Sequence, residues 1–266
     1  MKYYDPVNSR LVFLGNKATP EFWDQQWNLE NLKEVIKRNG SNDKFVSKIT
    51  KKFLQPNKSV KILEGGCGMG HFVYSLNRAG FEAYGIDFAP ETIAKLKEMF
   101  PDMNFSLSDV RKIDFPDNFF DAYWSLGVIE HFYEGYKKAA DEMKRVIKNG
   151  GYLFITFPYL SRLRRLKIFL KRYPIFNREN FNRDLFYQFA FDHNEVIEYF
   201  KNLGFKLIYQ KSLDGVNGLR EEIFFLKSFI DKVYRSRKFL FKALRFIFNK
   251  LFSDFSGHII LLIFKK

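Results

Sequence analysis

The stretch Ile62-Leu63-Glu64-Gly65-Gly66-Cys67-Gly68-Met69-Gly70 decides how this chain folds. Residues 60–63 lean apolar and read as a buried strand, and residues 71–79 continue as a helix, so the glycines occupy a strand-to-helix turn. Glycine adopts positive φ freely and leaves bare backbone open to a ligand. A dinucleotide fingerprint needs G-x-G-x-x-G. Here Gly66, Gly68 and Gly70 give G-x-G-x-G, and His71 stands where the last glycine belongs. A phosphate-binding P-loop ends in Gly-Lys-Ser or Gly-Lys-Thr, and no such triplet follows. Glu64 repels a pyrophosphate but suits a ligand with a cationic amino-acid end. Asp87 closes the next apolar strand, Ala83-Tyr84-Gly85-Ile86-Asp87, where a carboxylate accepts both hydrogen bonds of a ribose diol.

With these residues in place the chain resembles the class I S-adenosylmethionine-dependent methyltransferases, in the group whose first motif is E/D-x-G-x-G-x-G. Asp109-Val110 stands at the end of a third strand, where that family contacts adenine. Asp114-Phe115-Pro116-Asp117-Asn118-Phe119-Phe120-Asp121-Ala122 is similar to the family's entry to its fourth strand, and Ser125-Leu126-Gly127-Val128-Ile129-Glu130-His131-Phe132 to the segment after it. Gly150-Gly151-Tyr152-Leu153-Phe154-Ile155-Thr156 resembles the fifth strand behind its Gly-Gly turn. The likeness is close over residues 55–160 and holds in outline elsewhere. It implies an α/β, Rossmann-like doubly wound sheet of seven strands, mostly parallel, with an antiparallel last strand at the edge formed by residues 258–264. It also implies S-adenosyl-L-methionine as cofactor. Glu64 with Gly66, Gly68 and Gly70 would hold the methionine portion, Asp87 the ribose, and Asp109 with Val110 the adenine, with Leu126 beside them.

The chain has 266 residues, 46% of them hydrophobic, which fits one α/β domain with extensions. Cys67 is the single cysteine, so no disulfide framework forms within the chain, and a reducing compartment is expected. The polar first ten residues carry no apolar signal region, and no run of about eighteen apolar residues occurs. A cytoplasmic protein is expected, with peripheral attachment to the inner face of a membrane as a further expectation. The net charge of +14 is concentrated in two places: residues 159–183 and 227–252 each hold eight basic residues against one acid, and elsewhere the charges balance.

Residues 1–55 read as a helical N-terminal cap on a methyltransferase domain over residues 56–266. Trp23 and Trp27, four apart, share a helix face whose expected role is packing onto the core, with a lid over the cofactor as the alternative. Asp192-His193-Asn194-Glu195 forms a capping box for a helix to about Leu203, followed by Gly204 and a strand. Helical insertions are expected at residues 159–191 and 219–252. In the second, Lys232, Arg235, Lys238, Lys242 and Arg245 advance by three, three, four and three, a single helical stripe. Phe229, Val233, Leu240, Leu244, Ile247 and Leu251 run along another face, as in a helix lying in a membrane interface. A solvated charged face and an RNA-binding surface are the competing readings.

The acceptor half of the site is less legible. His131 is the candidate general base, since a near-neutral imidazole can take a proton from a phenol. Quinone-type O-methyltransferases that it resembles carry Glu-x-x-Glu-His here, able to bind a divalent metal; Gly127 replaces the first glutamate, so no metal site is expected. Amino-directed nucleic-acid enzymes would show Asn/Asp-Pro-Pro-Tyr/Phe in place of Ser125-Leu126-Gly127-Val128, and C5-directed RNA enzymes a second cysteine. The sequence therefore favours a small-molecule or lipid-linked acceptor over nucleic acid. Arg162, Arg164 and Arg165 are placed to meet an anionic group on such an acceptor, or to form a solvated cluster. An RNA methyltransferase or a non-catalytic cofactor-binding module are the rival functions.

Overall fold

The computed structural model describes residues 1–26, 32–41, 43–179, 181–223, 227–236 and 238–266. The chain opens with an antiparallel hairpin, β1 (Lys2–Asp5) and β2 (Arg10–Leu14), followed by α1 (Pro20–Gln26), α2 (Leu32–Ser41) and α3 (Val46–Thr50). Strands and helices then alternate: β3 (Lys61–Gly65), α4 (His71–Arg78), β4 (Glu82–Asp87), α5 (Pro90–Met99), β5 (Asn104–Leu107), β6 (Phe120–Leu126), α6 (Lys137–Val146) and β7 (Ile147–Pro158). After α7 (Arg162–Phe169) come β8 (Phe186–Ala190), α8 (His193–Asn202), β9 (Lys206–Leu213), α9 (Gly215–Glu222), α10 (Lys227–Arg235), α11 (Phe239–Ser256) and β10 (Ile259–Lys265).

The main sheet has seven strands in the order β5-β4-β3-β6-β7-β10-β9, with β10 antiparallel to both neighbours. Successive residues alternate between its two faces, as a twofold strand period requires. Leu63, Leu153, Ile155, Leu262 and Phe264 face α6 and α8, while Ile62, Phe154, Leu261 and Ile263 face α2 to α5. Trp124 stacks on Phe154 with ring centroids 4.4 Å apart, and its indole N–H donates to Thr50 Oγ1 at 3.0 Å, tying α3 to the middle of the sheet.

Four expectations change. The first fifteen residues are not helical: the apolar run Leu11-Val12-Phe13 is buried because β2 pairs with β8 to complete a small three-stranded sheet. The last strand is antiparallel but interior, since β9 pairs beyond it and occupies the edge. Its uninterrupted run Ile259-Ile260-Leu261-Leu262-Ile263-Phe264 is what burial on both faces demands. Asp109 and Val110 lie beyond the third strand of the parallel series, which ends at Leu107. The basic stripe of the second insertion is divided between α10 and α11, and Arg245 turns inward to donate to the Tyr234 carbonyl at 2.6 Å. Trp27 lies outside the described residues. No helix among the described residues is long and apolar enough to cross a membrane.

Candidate active site

A cavity of about 810 Å³ opens where β3, β4 and β6 end, and Glu64, Gly66, Gly68, Asp87, Asp109, Val110, Leu126 and His131 all line it. The parallel strands converge there because each is followed by a loop or helix that leaves the sheet at the same edge. Gly66 has φ +77°, and a Cβ on it would meet Val128 Cγ2 at 2.5 Å. Any other residue would therefore be strained and would push the post-β6 loop off the turn. Gly70 does not line the cavity; its φ is +70°, and a Cβ there would strike the Phe105 ring at 2.7 Å, so it serves the start of α4 rather than a ligand.

Asp87 is buried, and its Oδ2 accepts the Gly68 N–H at 2.8 Å while Oδ1 accepts the Ala89 N–H at 3.0 Å. The carboxylate thus fixes the glycine turn and still keeps lone pairs for a diol. Burial raises its pKa against these bonds. Glu64 is 2% exposed, and its Oε2 has no hydrogen-bond partner. Desolvation first, and the neighbouring Asp87 charge second, push its pKa well up. An orphaned, buried carboxylate oxygen beside the turn calls for a cationic donor, and the amino-acid end of S-adenosylmethionine carries an ammonium group. The residues present fit that cofactor.

Asp109 is bound by its own loop: Arg111 donates from Nε to Oδ1 at 2.9 Å and from Nη2 to Oδ2 at 2.6 Å. Burial raises its pKa, but these bonds outweigh it and hold the group below its ordinary value. Turn-capping and a place in the cavity wall therefore coexist at this residue. Cys67 is buried within the turn, and burial raises its thiol pKa, which disfavours the thiolate.

His131 follows β6 and lines the same cavity. Its Nδ1 lies 2.8 Å from the Tyr187 carbonyl, and since a carbonyl only accepts, Nδ1 carries the proton and Nε2 keeps its lone pair. Burial lowers the pKa to about 4, against the bond to Tyr187 that raises it. Trp23 meets the ring edge-on at 5.3 Å and Tyr187 at 5.1 Å. Helix α1 is set in place by Asp24, whose Oδ1 accepts the Thr92 N–H at 2.9 Å at the start of α5. Trp23 is consequently a wall of the cavity and not a core residue, which corrects its expected packing role.

Residues 63–155 match the family model described as a methyltransferase domain. The chain therefore carries a methyltransferase domain of the class I, S-adenosylmethionine-dependent kind. An uncharacterized protein of Methanocaldococcus jannaschii is 27% identical to it over 206 residues, which are 74% of this chain and 79% of the relative. A 2-methyl-6-phytyl-1,4-hydroquinone methyltransferase of Synechocystis sp. is 33% identical over 101 residues, 36% of this chain and 31% of the relative, so the chain spans about a third of that enzyme's length. The fold is shared with a putative methyltransferase of Haloferax volcanii solved in complex with the Trm112 activator, at TM-score 0.58 and 14% identity over 94% of this chain and 98% of that one. It is also shared with a SAM-dependent methyltransferase of Methanosarcina mazei, at TM-score 0.55 and 16% identity over 82% and 96%.

The same cavity is lined by Trp23, Phe132, Tyr133 and Phe186, with Trp23 against His131 and Tyr133 against Phe186, and by Lys137 and Lys138. Sequence reasoning missed this aromatic wall. Phe132-Tyr133 directly after His131 was a usable signal; Phe186, fifty-five residues on, was not. The three arginines of the first insertion do not line the cavity. Arg164 is wholly buried and pairs with Glu222 at 3.1 Å, Arg165 pairs with Asp192 at 2.7 Å, and Arg162 is exposed. Among the described residues no group of three or more His, Cys, Asp or Glu is placed to hold a metal ion.

Asp87→Ala should weaken binding of S-adenosylhomocysteine by on the order of a hundredfold, the loss of charge-assisted bonds to the ribose together with a loosened Gly68 turn. Calorimetric titration of the variant checks it; unchanged affinity would remove Asp87 from the cofactor site.

Proposed function

We propose that this methyltransferase transfers a methyl group to a hydroxyl of a lipid, lipid-linked saccharide or other amphipathic acceptor presented at a membrane surface. The observation that supports the reading is the lining of the cavity that holds His131, to which three separate elements contribute aromatic side chains and which also includes Lys137 and Lys138. Such a wall receives an apolar or aromatic body, and the lysines attract an anionic group attached to it. Resemblance to an enzyme named for a phytyl-substituted hydroquinone is consistent with an acceptor of this kind.

S-adenosylmethionine supplies an electrophilic methyl on a sulfonium. The chain's own part is to orient the acceptor, exclude water and take the hydroxyl proton. Trp23 and Phe132 close the cavity around the acceptor oxygen, and His131 takes the proton at Nε2, the nitrogen left free by the bond from Nδ1 to Tyr187. Glu64, Asp87 and the backbone at Gly66 and Gly68 hold the donor.

Labelled S-adenosylmethionine incubated with the protein and fractionated cell extract tests this. Label is expected in the lipid fraction; label in tRNA or rRNA would make it an RNA methyltransferase, and no transfer to any fraction would favour a cofactor-binding module.

A further inference from the structure

Helix α11 is amphipathic in the outward sense. Phe241, Leu244 and Phe248 pack inward against Val216, Ile230 and Val233. Other large apolar side chains along α11 are exposed: Phe239 at 87%, Leu240 at 66%, Phe246 at 71%, Ile247 at 47%, Leu251 at 65% and Phe255 at 39%. Helix α7 packs beside α11 and adds Leu166, Phe169 and Leu170, with Phe169 80% exposed. Two neighbouring helices thus present large apolar side chains to the outside, which monomeric soluble proteins rarely do over a continuous area.

Basic residues accompany this surface. Lys238, Lys242 and Lys250 on or at the start of α11, and Lys171 and Arg172 just after α7, are all exposed, and none makes an ion pair with a described residue. Asp254 is the single acid within α11. The placement is related to the active site by the sheet. β7 ends at Pro158, four residues before α7, and Pro158 is paired with Ile259, the first residue of β10 after α11. Both helices therefore attach to the sheet at the edge where the parallel strands end and the cofactor cavity opens.

We infer that the outer faces of α7 and α11 form a docking surface for an anionic lipid bilayer. Apolar side chains enter the boundary between headgroups and acyl chains while the lysines and Arg172 contact lipid phosphates. Charge selects this occupant over the others. A second copy of the chain joined by a twofold axis would set the same lysines against themselves. A nucleic acid would satisfy the lysines but leave the phenylalanines and leucines in water, whereas nucleic-acid interfaces are polar. The inference deepens the membrane part of the proposed function and does not depend on which molecule is methylated.

Flotation of the full chain with phosphatidylcholine vesicles containing phosphatidylglycerol, and with phosphatidylcholine alone, tests it. The protein should float with the anionic vesicles. The double variant Phe246→Ser/Leu251→Ser should lose on the order of tenfold or more in vesicle affinity. Its binding of S-adenosylhomocysteine, followed by calorimetry, should not change, because neither side chain contributes to the core. The independent variant Phe169→Ser/Leu170→Ser on the other helix should behave the same way, so that a folding defect in one does not decide the matter. Lys238→Glu/Lys242→Glu should weaken binding to anionic vesicles.

Equal flotation of wild type and both apolar variants, or no flotation of the wild type, overturns the docking surface. So does a dimer by analytical ultracentrifugation that Phe246→Ser/Leu251→Ser dissociates, or RNA binding that the lysine variant loses in the absence of flotation. Flotation without methyl transfer to any lipid supports the surface and overturns the acceptor reading alone.

Discussion

Glu222→Ala is expected to destabilise the protein by about 3 to 5 kcal/mol, the cost of removing one partner from a buried ion pair. The Glu222 carboxylate at the end of α9 accepts from Arg164 Nε at 3.1 Å, Lys2 Nζ at 3.0 Å, Lys167 Nζ at 2.7 Å and Tyr173 OH at 2.5 Å. These donors belong to β1, to α7 and to the loop after it, so one carboxylate fastens the N-terminal hairpin, the first insertion and the second. Arg164 has no exposed surface, and its remaining side-chain bonds go to the Tyr159 carbonyl at 2.8 Å, the His258 carbonyl at 3.2 Å and His258 Nδ1 at 3.0 Å. Loss of Glu222 would leave that guanidinium charged and buried without a counter-charge. His258 cannot help, because it must stay neutral to accept from Arg164. Burial and the Arg164 charge accordingly hold its pKa down at about 3.

The same group carries a pH signature. Burial would raise the Glu222 pKa, but Lys2 and Arg164, with the bonds from Lys167 and Tyr173, bring it down to about 2 from an ordinary 4.5. A carboxylate depressed in the folded state stabilises fully above its unfolded pKa and loses that contribution as pH falls through the folded value. Wild-type stability in urea should therefore drop between about pH 4.5 and 2, and Glu222→Gln should show a shallower drop from a lower plateau. An identical acid profile for the two would show that the ion pair does not contribute.

His131→Ala should lower kcat by about a thousandfold, within the range for removal of a positioned general base, while the affinity for S-adenosylhomocysteine stays as it was. The base form of the imidazole exists above its pKa, and burial sets that near 4. The acid limb of kcat/KM in the wild type should accordingly fall near pH 4 rather than near the ordinary histidine value of 6.5. His131→Gln retains a group able to donate to the Tyr187 carbonyl but cannot take a proton, so its activity should be as low as that of the alanine variant. Rescue by glutamine would reduce His131 to a positioning residue. The comparison requires the lipid fraction that accepts label, and the pH profile separates base from scaffold.

The donor half of the site was legible because it is local. Glu64, Gly66, Gly68 and Asp87 lie on two adjacent parallel strands and the turn between them, and the bond from Gly68 N–H to Asp87 closes a loop of nineteen residues. Spacing alone can encode such a unit. Gly70 shows the limit even there, for its position in the motif did not reveal that it faces Phe105. The acceptor half joins Trp23, His131 and Phe186 from three remote parts of the chain. The pairing of β8 with β2 and the His131 bond to the Tyr187 carbonyl set Phe186 in the cavity wall, and the Asp24 bonds to α5 hold Trp23 against His131.

Charge followed the same division. Composition placed the whole excess in two segments but could not assign individual side chains to water, to a partner or to the interior. Arg164 was legible as one of three clustered arginines, and only tertiary packing supplied Glu222, fifty-eight residues away, to bury it. The helical periodicity of α11 likewise fixed which residues share a face, while the attachment of its Phe241 side to α9 and α10 decided that Phe239, Phe246 and Leu251 point outward.

The sequence by itself therefore determined the alternating α/β framework, the glycine turn and the two carboxylates, Glu64 and Asp87, that line the cavity beside it, because each depends on residues within adjoining strand-turn-helix units. Tertiary structure alone decided the interior position of the last strand, the aromatic wall around His131, the burial of Arg164 and the outward face of α11. Each of these depends on which distant surfaces exclude water together, and no local spacing encodes that.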